Sequence, residues 1–390
     1  MRIFISVLEK SHVLFLRTFL KKFIFFFFIF LFTFQAYSKR GSDPVLDFAK
    51  QQVEQKYYKP ALSTINSYLE THKNDVEALY WKAFCFYKLE NYVAALENYN
   101  LVLKLNPSYY PACIDMANML TKQKKFEEAI PYYNIAISVR DSDINLINSR
   151  GMCYYYADMF EPALKDFKRV LKLDPNNYLA YNNKGSATYN NQNIASASVV
   201  DLRSAEKDFN KAIELKPDFE LAFRNRGIVR YYLDDLDASY KDLLRASQLD
   251  DKDENAQYYL GKVLYKQKNY AVALQFFDNA IHLVNYKSDF FIDRGMCKLE
   301  MENFQGARAD FYKAMQLTND RGYAEYQTAR TYAAEASKKE VFVFLRAAKK
   351  SGLFKDTRYF TYIAKDKYFV GWAKDKEFMD LIQELKFGKK

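Results

Sequence analysis

Four cysteines and three histidines are the only thiol and imidazole groups in this 390-residue chain. Cys85, Cys153 and Cys297 recur at equivalent places in a pattern of period 34 set out below, so whole helical layers separate them. At helix spacings of ~8–10 Å they stand beyond the ~6 Å that a disulfide spans between Cα atoms. Cys113 has no evident partner, and four free, buried thiols are expected. His72 and His282 have no Cys, His or Asp neighbour at ligand spacing; each stands near the end of a helix, where capping accounts for it. The sequence contains no Gly-rich phosphate loop, nucleophile-elbow serine, Cys/His dyad or HExxH. Its carboxylates are scattered rather than paired as acid and base. No catalytic residue, no metal and no cofactor is expected, and the chain reads as a non-enzyme. The residue type with something to offer is tyrosine, of which there are 33.

The elements that must position those tyrosines emerge from self-comparison, because a missed period miscalls a whole fold. Only 11 Gly and 8 Pro punctuate the chain while 49% of it is apolar, which favours helices with short connections over an all-β or doubly wound fold. Ala61, Ala95, Ala129, Ala163, Ala205, Ser239, Ala273, Ala307 and Val341 stand 34 residues apart, except for one interval of 42. Twelve residues before each of these anchors stands a small residue: Ala49, Ala83, Ala117, Gly151, Gly185, Gly227, Gly261, Gly295 or Ala329, with Gly185 displaced by the insertion. Four residues after each stands a large one: Ile65, Tyr99, Tyr133, Phe167, Phe209, Leu243, Phe277, Phe311 or Leu345. Small residues belong where two helices cross closely and large ones fill the groove between them. Twelve residues after the anchor stands Pro107, Pro175 or Pro217, with Asp or Asn in several other units, which ends the second helix and starts the next.

A helical hairpin of this length and pattern resembles the tetratricopeptide repeat, over residues 42 to 353. The resemblance implies an all-α, right-handed superhelical solenoid of about nine hairpins, at 42–75, 76–109, 110–143, 144–177, 178–219 with the insertion, 220–253, 254–287, 288–321 and 322–353. The last is degenerate, and a basic capping segment, 354–390, follows, in which Trp372, Phe378 and Leu381 are expected to bury the open end of the stack. Thirteen residues before the anchor and three after it, Arg150 pairs with Asp166, Lys184 with Asp208, Arg226 with Asp242 and Arg294 with Asp310. These are read as hairpin staples of ~0–1 kcal/mol each if exposed. Reversing both charges of Arg226 and Asp242 is expected to restore what either single reversal loses. The eight extra residues, within 190–198, fall between the helices of their hairpin and read as a solvated loop.

In this family the first helices line the concave face. By the i, i+4, i+7 rule the residues fifteen, eleven and eight before each anchor face it. The partner-binding groove so implied holds Tyr80, Phe84, Tyr87, Asn148, Met152, Tyr155, Asn182, Tyr189, Arg224, Tyr231, Tyr258 and Tyr265, with Ser186, Ile228 and Lys262 in the same rows. Tyrosine offers area at little entropic cost plus a hydrogen bond, which suits an extended peptide or an amphipathic helix. Some members grip a partner's C-terminal carboxylate with Lys and Asn on successive first helices. Tyr80 and Ile114 stand where that clamp needs Lys, so its specificity is not carried over.

The first 38 residues differ from the rest. Five basic residues against Glu9 precede an apolar run, Phe23 to Phe34, broken only by Thr33, and Ala36-Tyr37-Ser38 sets small residues before a cut. This is the grammar of a secretory signal peptide, and the run is short of the ~20 residues of a span. Export to the periplasm or cell envelope is expected, with an uncleaved inner-membrane anchor as the alternative and a membrane partner only in that case. The net charge of +10 is lopsided: residues 39–340 balance, and 341–390 carry twelve basic against six acidic residues. No nucleic-acid motif accompanies that charge. The function expected is a protein-binding scaffold, with an anchored subunit of an envelope assembly or secretion complex as the alternative and a glycan-binding protein or enzyme as a third, weaker one.

Overall fold

The computed structural model describes residues 43–190 and 194–387. The leader, its apolar run and the cut after Ser38 lie outside the described residues. Among those described there are twenty α-helices and no strand, and no helix is long and apolar enough to cross a membrane. The chain divides into two compact units, Met1–Ala157 and Asp158–Lys390, and the division falls within the stretch 144–177 that the sequence pattern takes as one hairpin.

The N-terminal unit contains α1 (Pro44–Glu54), α2 (Tyr58–Thr71), α3 (Val76–Lys88), α4 (Tyr92–Leu105), α5 (Tyr110–Lys122), α6 (Phe126–Val139) and α7 (Ile144–Tyr156). The C-terminal unit begins with α8 (Phe160–Leu173), which packs on α9 (Tyr178–Asn190). It continues through α10 (Val199–Leu215), α11 (Glu220–Tyr232), α12 (Leu236–Leu249), α13 (Glu254–Lys266), α14 (Tyr270–Leu283), α15 (Ser288–Glu300), α16 (Phe304–Leu317), α17 (Gly322–Ala334) and α18 (Lys338–Lys350). Two further helices, α19 (Arg358–Lys365) and α20 (Lys376–Phe387), complete it. Each unit is a helical-hairpin solenoid in which successive helices pack on one another.

The anchor residues sit where the two helices of a hairpin touch. All nine, from Ala61 to Val341, are fully buried, as are Tyr99, Phe209, Phe277 and Phe311 among the large residues four positions on. A Cβ on Gly261 would lie 2.7 Å from the Phe277 ring, and one on Gly295 would lie 2.6 Å from that of Phe311. That approach is closer than any real methyl tolerates, so the small residue is a steric requirement of the hairpin. Ser239 fits among the alanines because its hydroxyl donates to the Gly227 carbonyl oxygen at 2.7 Å.

The turns explain how the chain manages with few glycines. Lys56, Glu90, Lys124, Asp158, Asp234, Lys268, Glu302 and Ala336 all adopt positive φ, between 56° and 64°. Each stands five residues before an anchor. The N–H of the following residue reaches back five positions to close the first helix, as Asn91 does to Phe86 and Asn269 to Leu264, both at 2.9 Å. That is a Schellman closure with a non-glycine residue in the left-handed position. The hairpin with the insertion has a longer connection between its two helices, which end at Asn190 and resume at Val199. There the chain makes a 3₁₀ turn, Ile194–Ser196, and Ile194 packs against the groups around Tyr189 and Ile228. This part of the loop is therefore folded onto the core rather than simply solvated. Asp75, Asp143 and Asp253 cap the first helices that follow them, accepting from backbone N–H groups at 2.9–3.2 Å, and His72 forms the C-cap of α2 with its ring stacked on Tyr68.

The charge pairs are not surface staples. Arg226 donates to both carboxylate oxygens of Asp242 at 2.8 and 2.6 Å, and Arg294 does the same to Asp310; Lys184 reaches Asp208 at 2.7 Å. The three aspartates are buried. Each arginine also reaches the preceding hairpin: Arg226 donates to Asn210 and Arg294 to Asp278, both at 2.7 Å, as Arg150 does to Asn134 at 2.8 Å. Asp242 additionally receives Arg230 at 2.8 Å. A double charge reversal would set an arginine at 242 against Arg230, so the rescue expected from two partners alone does not follow.

Beyond α18 the chain folds back. Phe354, Ile363, Phe369, Phe378, Leu381 and Leu385 are buried against Tyr326, Ala329, Ala333, Val341 and Leu345, with Trp372 packed at the margin. Lys338 bridges Asp375 and Glu377 at 2.8 and 2.7 Å, and Arg346 binds Glu384.

Candidate functional site

Within the C-terminal unit the first helices α11, α13, α15 and α17 lie side by side and line a cavity of about 450 Å³ that is open to solvent. Tyr231 of α11, Tyr258, Lys262, Tyr265 and Lys266 of α13, Asp289, Ile292, Asp293 and Met296 of α15, and Tyr323 of α17 line it, with Phe277 behind. Each is placed by the hairpin geometry: α15 presents Asp289, Asp293 and Met296 at i, i+4, i+7, one helical face.

Its polar groups are strongly coupled. The Tyr258 hydroxyl donates to Asp293 at 2.5 Å, and the Lys262 ammonium lies 3.5 Å from the same carboxylate. Lys262 also sits 5.2–5.8 Å from the ring centres of Tyr231, Tyr258 and Tyr259, within the range of cation–π attraction. Burial opposes its charge, but Asp293 and the neighbouring phenols outweigh that and hold its pKa above the usual lysine value. Burial, and then Asp293, drives the Tyr258 phenol far above an ordinary tyrosine. Tyr323 is pushed up to about 12 by the same two causes. Lys266 lies 4.3 Å from the Tyr231 ring centre and pairs with Asp234 at 3.1 Å. This is a site with fixed charges and rigid aromatic walls, suited to binding. Asp293 is taken up by Tyr258 and Lys262.

Of the residues that the family resemblance placed in the groove, Tyr231, Tyr258 and Tyr265 come together at this cavity, with Lys262 between them. Others in the same unit are engaged elsewhere. Asn182 and Ser186 are buried and accept from Asn225 at 3.0 and 3.3 Å, Tyr189 is buried, and Arg224 is held by Asp253 at 3.1 Å. In the N-terminal unit, Tyr80 is buried with its hydroxyl on Asp115 at 3.0 Å, while Phe84 rests against Tyr80 and Trp81. Tyr87 packs on Tyr92, Tyr155 on Tyr156, and Asn148 and Met152 are half-buried.

Sequence rows missed Asp289, Asp293, Lys266 and Tyr323. One signal was available: Tyr80 to Asp115 and Tyr258 to Asp293 are both separations of 35 residues, a tyrosine of one first helix bonding an aspartate of the next. At the end of the unit Tyr326 makes the same bond to Asp366 at 3.1 Å, so the fold-back segment stands in for a further first helix. Arg330 Nε lies 2.7 Å from Asp366, an ion pair by distance whose N–H is not aimed at the oxygen. The four cysteines are free and buried. Burial pushes the thiols of Cys85 and Cys297 up to about 12. Among the described residues no group of His, Cys, Asp and Glu could hold a metal.

Comparison with known proteins adds three family matches: the tetratricopeptide repeat over residues 145–177 and again over 224–288, and subunit 3 of the anaphase-promoting complex, or cyclosome, over 54–135. A UDP-N-acetylglucosamine–peptide N-acetylglucosaminyltransferase of Giardia intestinalis is 27% identical over 127 residues, 33% of this chain and 9% of that protein. The Hsp70-Hsp90 organizing protein of Triticum aestivum is 32% identical over 75 residues, 19% of this chain and 13% of the other. The chain thus spans about a tenth of the length of these relatives. Among solved structures, a tetratricopeptide repeat protein from Parabacteroides merdae superposes with a TM-score of 0.53 at 19% identity, covering 66% of this chain and 98% of that one. The anaphase-promoting-complex assembly Cut9-Hcn1 gives 0.53 at 13%, covering 84% and 59%. These likenesses carry the fold.

Proposed function

Since the chain is a tetratricopeptide-repeat protein, we propose that it is a non-enzymatic scaffold that takes a peptide or helix of a protein partner on the face of its first helices in the C-terminal unit. Proteins built of this repeat generally mediate protein–protein interactions, and the Hsp70-Hsp90 organizing protein is one such relative. The observation that carries the reading here is the cavity between α11, α13, α15 and α17, where Tyr231, Tyr265 and Tyr323 surround about 450 Å³ of space. Rigid tyrosine walls give contact area with little loss of rotamer freedom, and that is the composition of binding hot spots.

The test is photo-crosslinking in the native cell, with the probe at Tyr231 and a control at the exposed Lys374. A discrete protein adduct is expected from Tyr231, diminished when Tyr265→Ala is added, and absent from Lys374. Adducts from Lys374 alone, or lipid and glycan products in place of protein, would move the functional surface away from the cavity.

A further inference from the structure

Two positions recur at each step from one first helix of the C-terminal unit to the next: the residue eight before the anchor, and on the following first helix the residue eleven before its own anchor. The pairs are Tyr189 with Ile228, Tyr231 with Lys262, Tyr265 with Met296, and Leu299 with Arg330, taking Tyr189 in the register that precedes the insertion.

The chain itself covers three of the four. Ile194, in the 3₁₀ turn of the insertion, packs against the clusters that contain Tyr189 and Ile228. Tyr189 is buried there, whereas Tyr231 and Tyr265 of the same row are half-buried. Lys262 lays its own ammonium 5.7 Å from the Tyr231 ring centre. Tyr368 of the fold-back segment donates to the Leu299 carbonyl oxygen at 3.2 Å, and the Arg330 guanidinium stands 5.1 Å from its ring centre. The remaining pair, Tyr265 and Met296, faces the open space of the cavity instead.

That space calls for no added charge. Lys262 is paired with Asp293 and Lys266 with Asp234, and the charge of Arg330 already acts on the phenols of Tyr265 and Tyr323. The Tyr323 hydroxyl donates to the Met296 sulfur at 3.6 Å, which fixes the thioether in the wall.

We propose that the partner segment seats an uncharged aliphatic side chain, that of isoleucine, leucine or methionine, between Tyr265 and Met296, as Ile194 is seated at Tyr189 and Ile228. This rests on the groove reading above and names its anchor. Where the second member of a pair is apolar, the chain's own cover is aliphatic; where it is a guanidinium, the cover is a tyrosine. An aliphatic group loses apolar surface to water on entering, whereas a charged one would be desolvated among groups that are already paired.

The probes are fluorescent peptides of sequence 190–198, which has Ile194 at its centre, together with versions carrying Ile194→Ser, Ile194→Lys or Ile194→Glu, titrated into the full chain by anisotropy. The isoleucine peptide is expected to bind at least tenfold tighter than the other three, with an affinity indifferent to salt. Met296→Gln in the protein is expected to weaken it about five- to tenfold, with helical circular dichroism and urea midpoint retained. The methyl signals of a ¹³C-labelled isoleucine in the peptide are expected to move upfield on binding, under the ring current of Tyr265, and to lose that shift with Tyr265→Leu. Equal binding of the four peptides, preference for the lysine or glutamate version, indifference to Met296→Gln, or no binding of any peptide would each overturn the inference. The crosslink from Tyr231 judges the groove reading separately, because it needs no assumption about which side chain the partner inserts.

Discussion

At the scale of single residues, the feature that governs this chain is how little space two helices leave each other. Gly261 and Gly295 have no room for a methyl group because Phe277 and Phe311 lie against them, so both halves of the contact were legible as a small residue and a large one sixteen positions apart. The left-handed turn residues were not legible. Lys268 at φ 60° looks like any exposed lysine, and only backbone geometry reveals the strain. An L-residue there costs about 1–2 kcal/mol, of which the greater freedom of glycine in the unfolded chain takes back about 0.5–1. Lys268→Gly is therefore expected to stabilise the protein by on the order of 0.5 kcal/mol, read as a raised urea midpoint. Lys268→Val, β-branched at positive φ, is expected to lower it.

Among elements, the hairpins are joined by buried ionic ladders as well as by packing. The sequence paired Arg226 with Asp242 correctly, but burial turns the pair from a marginal surface contact into a costly one to break. The bond from each arginine to the previous hairpin was hidden, because Asn210 and Asp278 differ in type although they occupy the same position. Asp242→Ala leaves Arg226 and Arg230 short of their shared carboxylate, and a loss of about 2–4 kcal/mol is expected, discounted for the partial exposure of both arginines. In a double-mutant cycle with Arg226→Met, a coupling of about 1–3 kcal/mol is expected; additive single effects would show that the ladder carries no energy of its own.

For the whole molecule, the tyrosines combine two roles that composition could not separate. Tyr99, Tyr258 and Tyr326 are phenols raised far above their ordinary pKa, by burial first and then by the aspartates they bond. Because the folded state holds these protons more tightly than the unfolded state, their contribution is intact below the unfolded value of about 10 and is lost as pH climbs beyond it. An alkaline titration at 295 nm is expected to show exposed tyrosines ionising near pH 10 and the buried ones ionising only as helical circular dichroism collapses. Ionisation of all 33 with the helices intact would contradict these contacts. The period, the hairpin and the helix class belonged to the sequence by itself, because close packing between neighbouring helices imposes size and charge at fixed spacings. Which tyrosines line a cavity and which are bonded into the core was decided by the tertiary structure alone. The deciding groups, Asp293 for Tyr258 and Asp366 for Tyr326, come from the next helix or from a fold-back 40 residues on, and no periodicity within one helix encodes them.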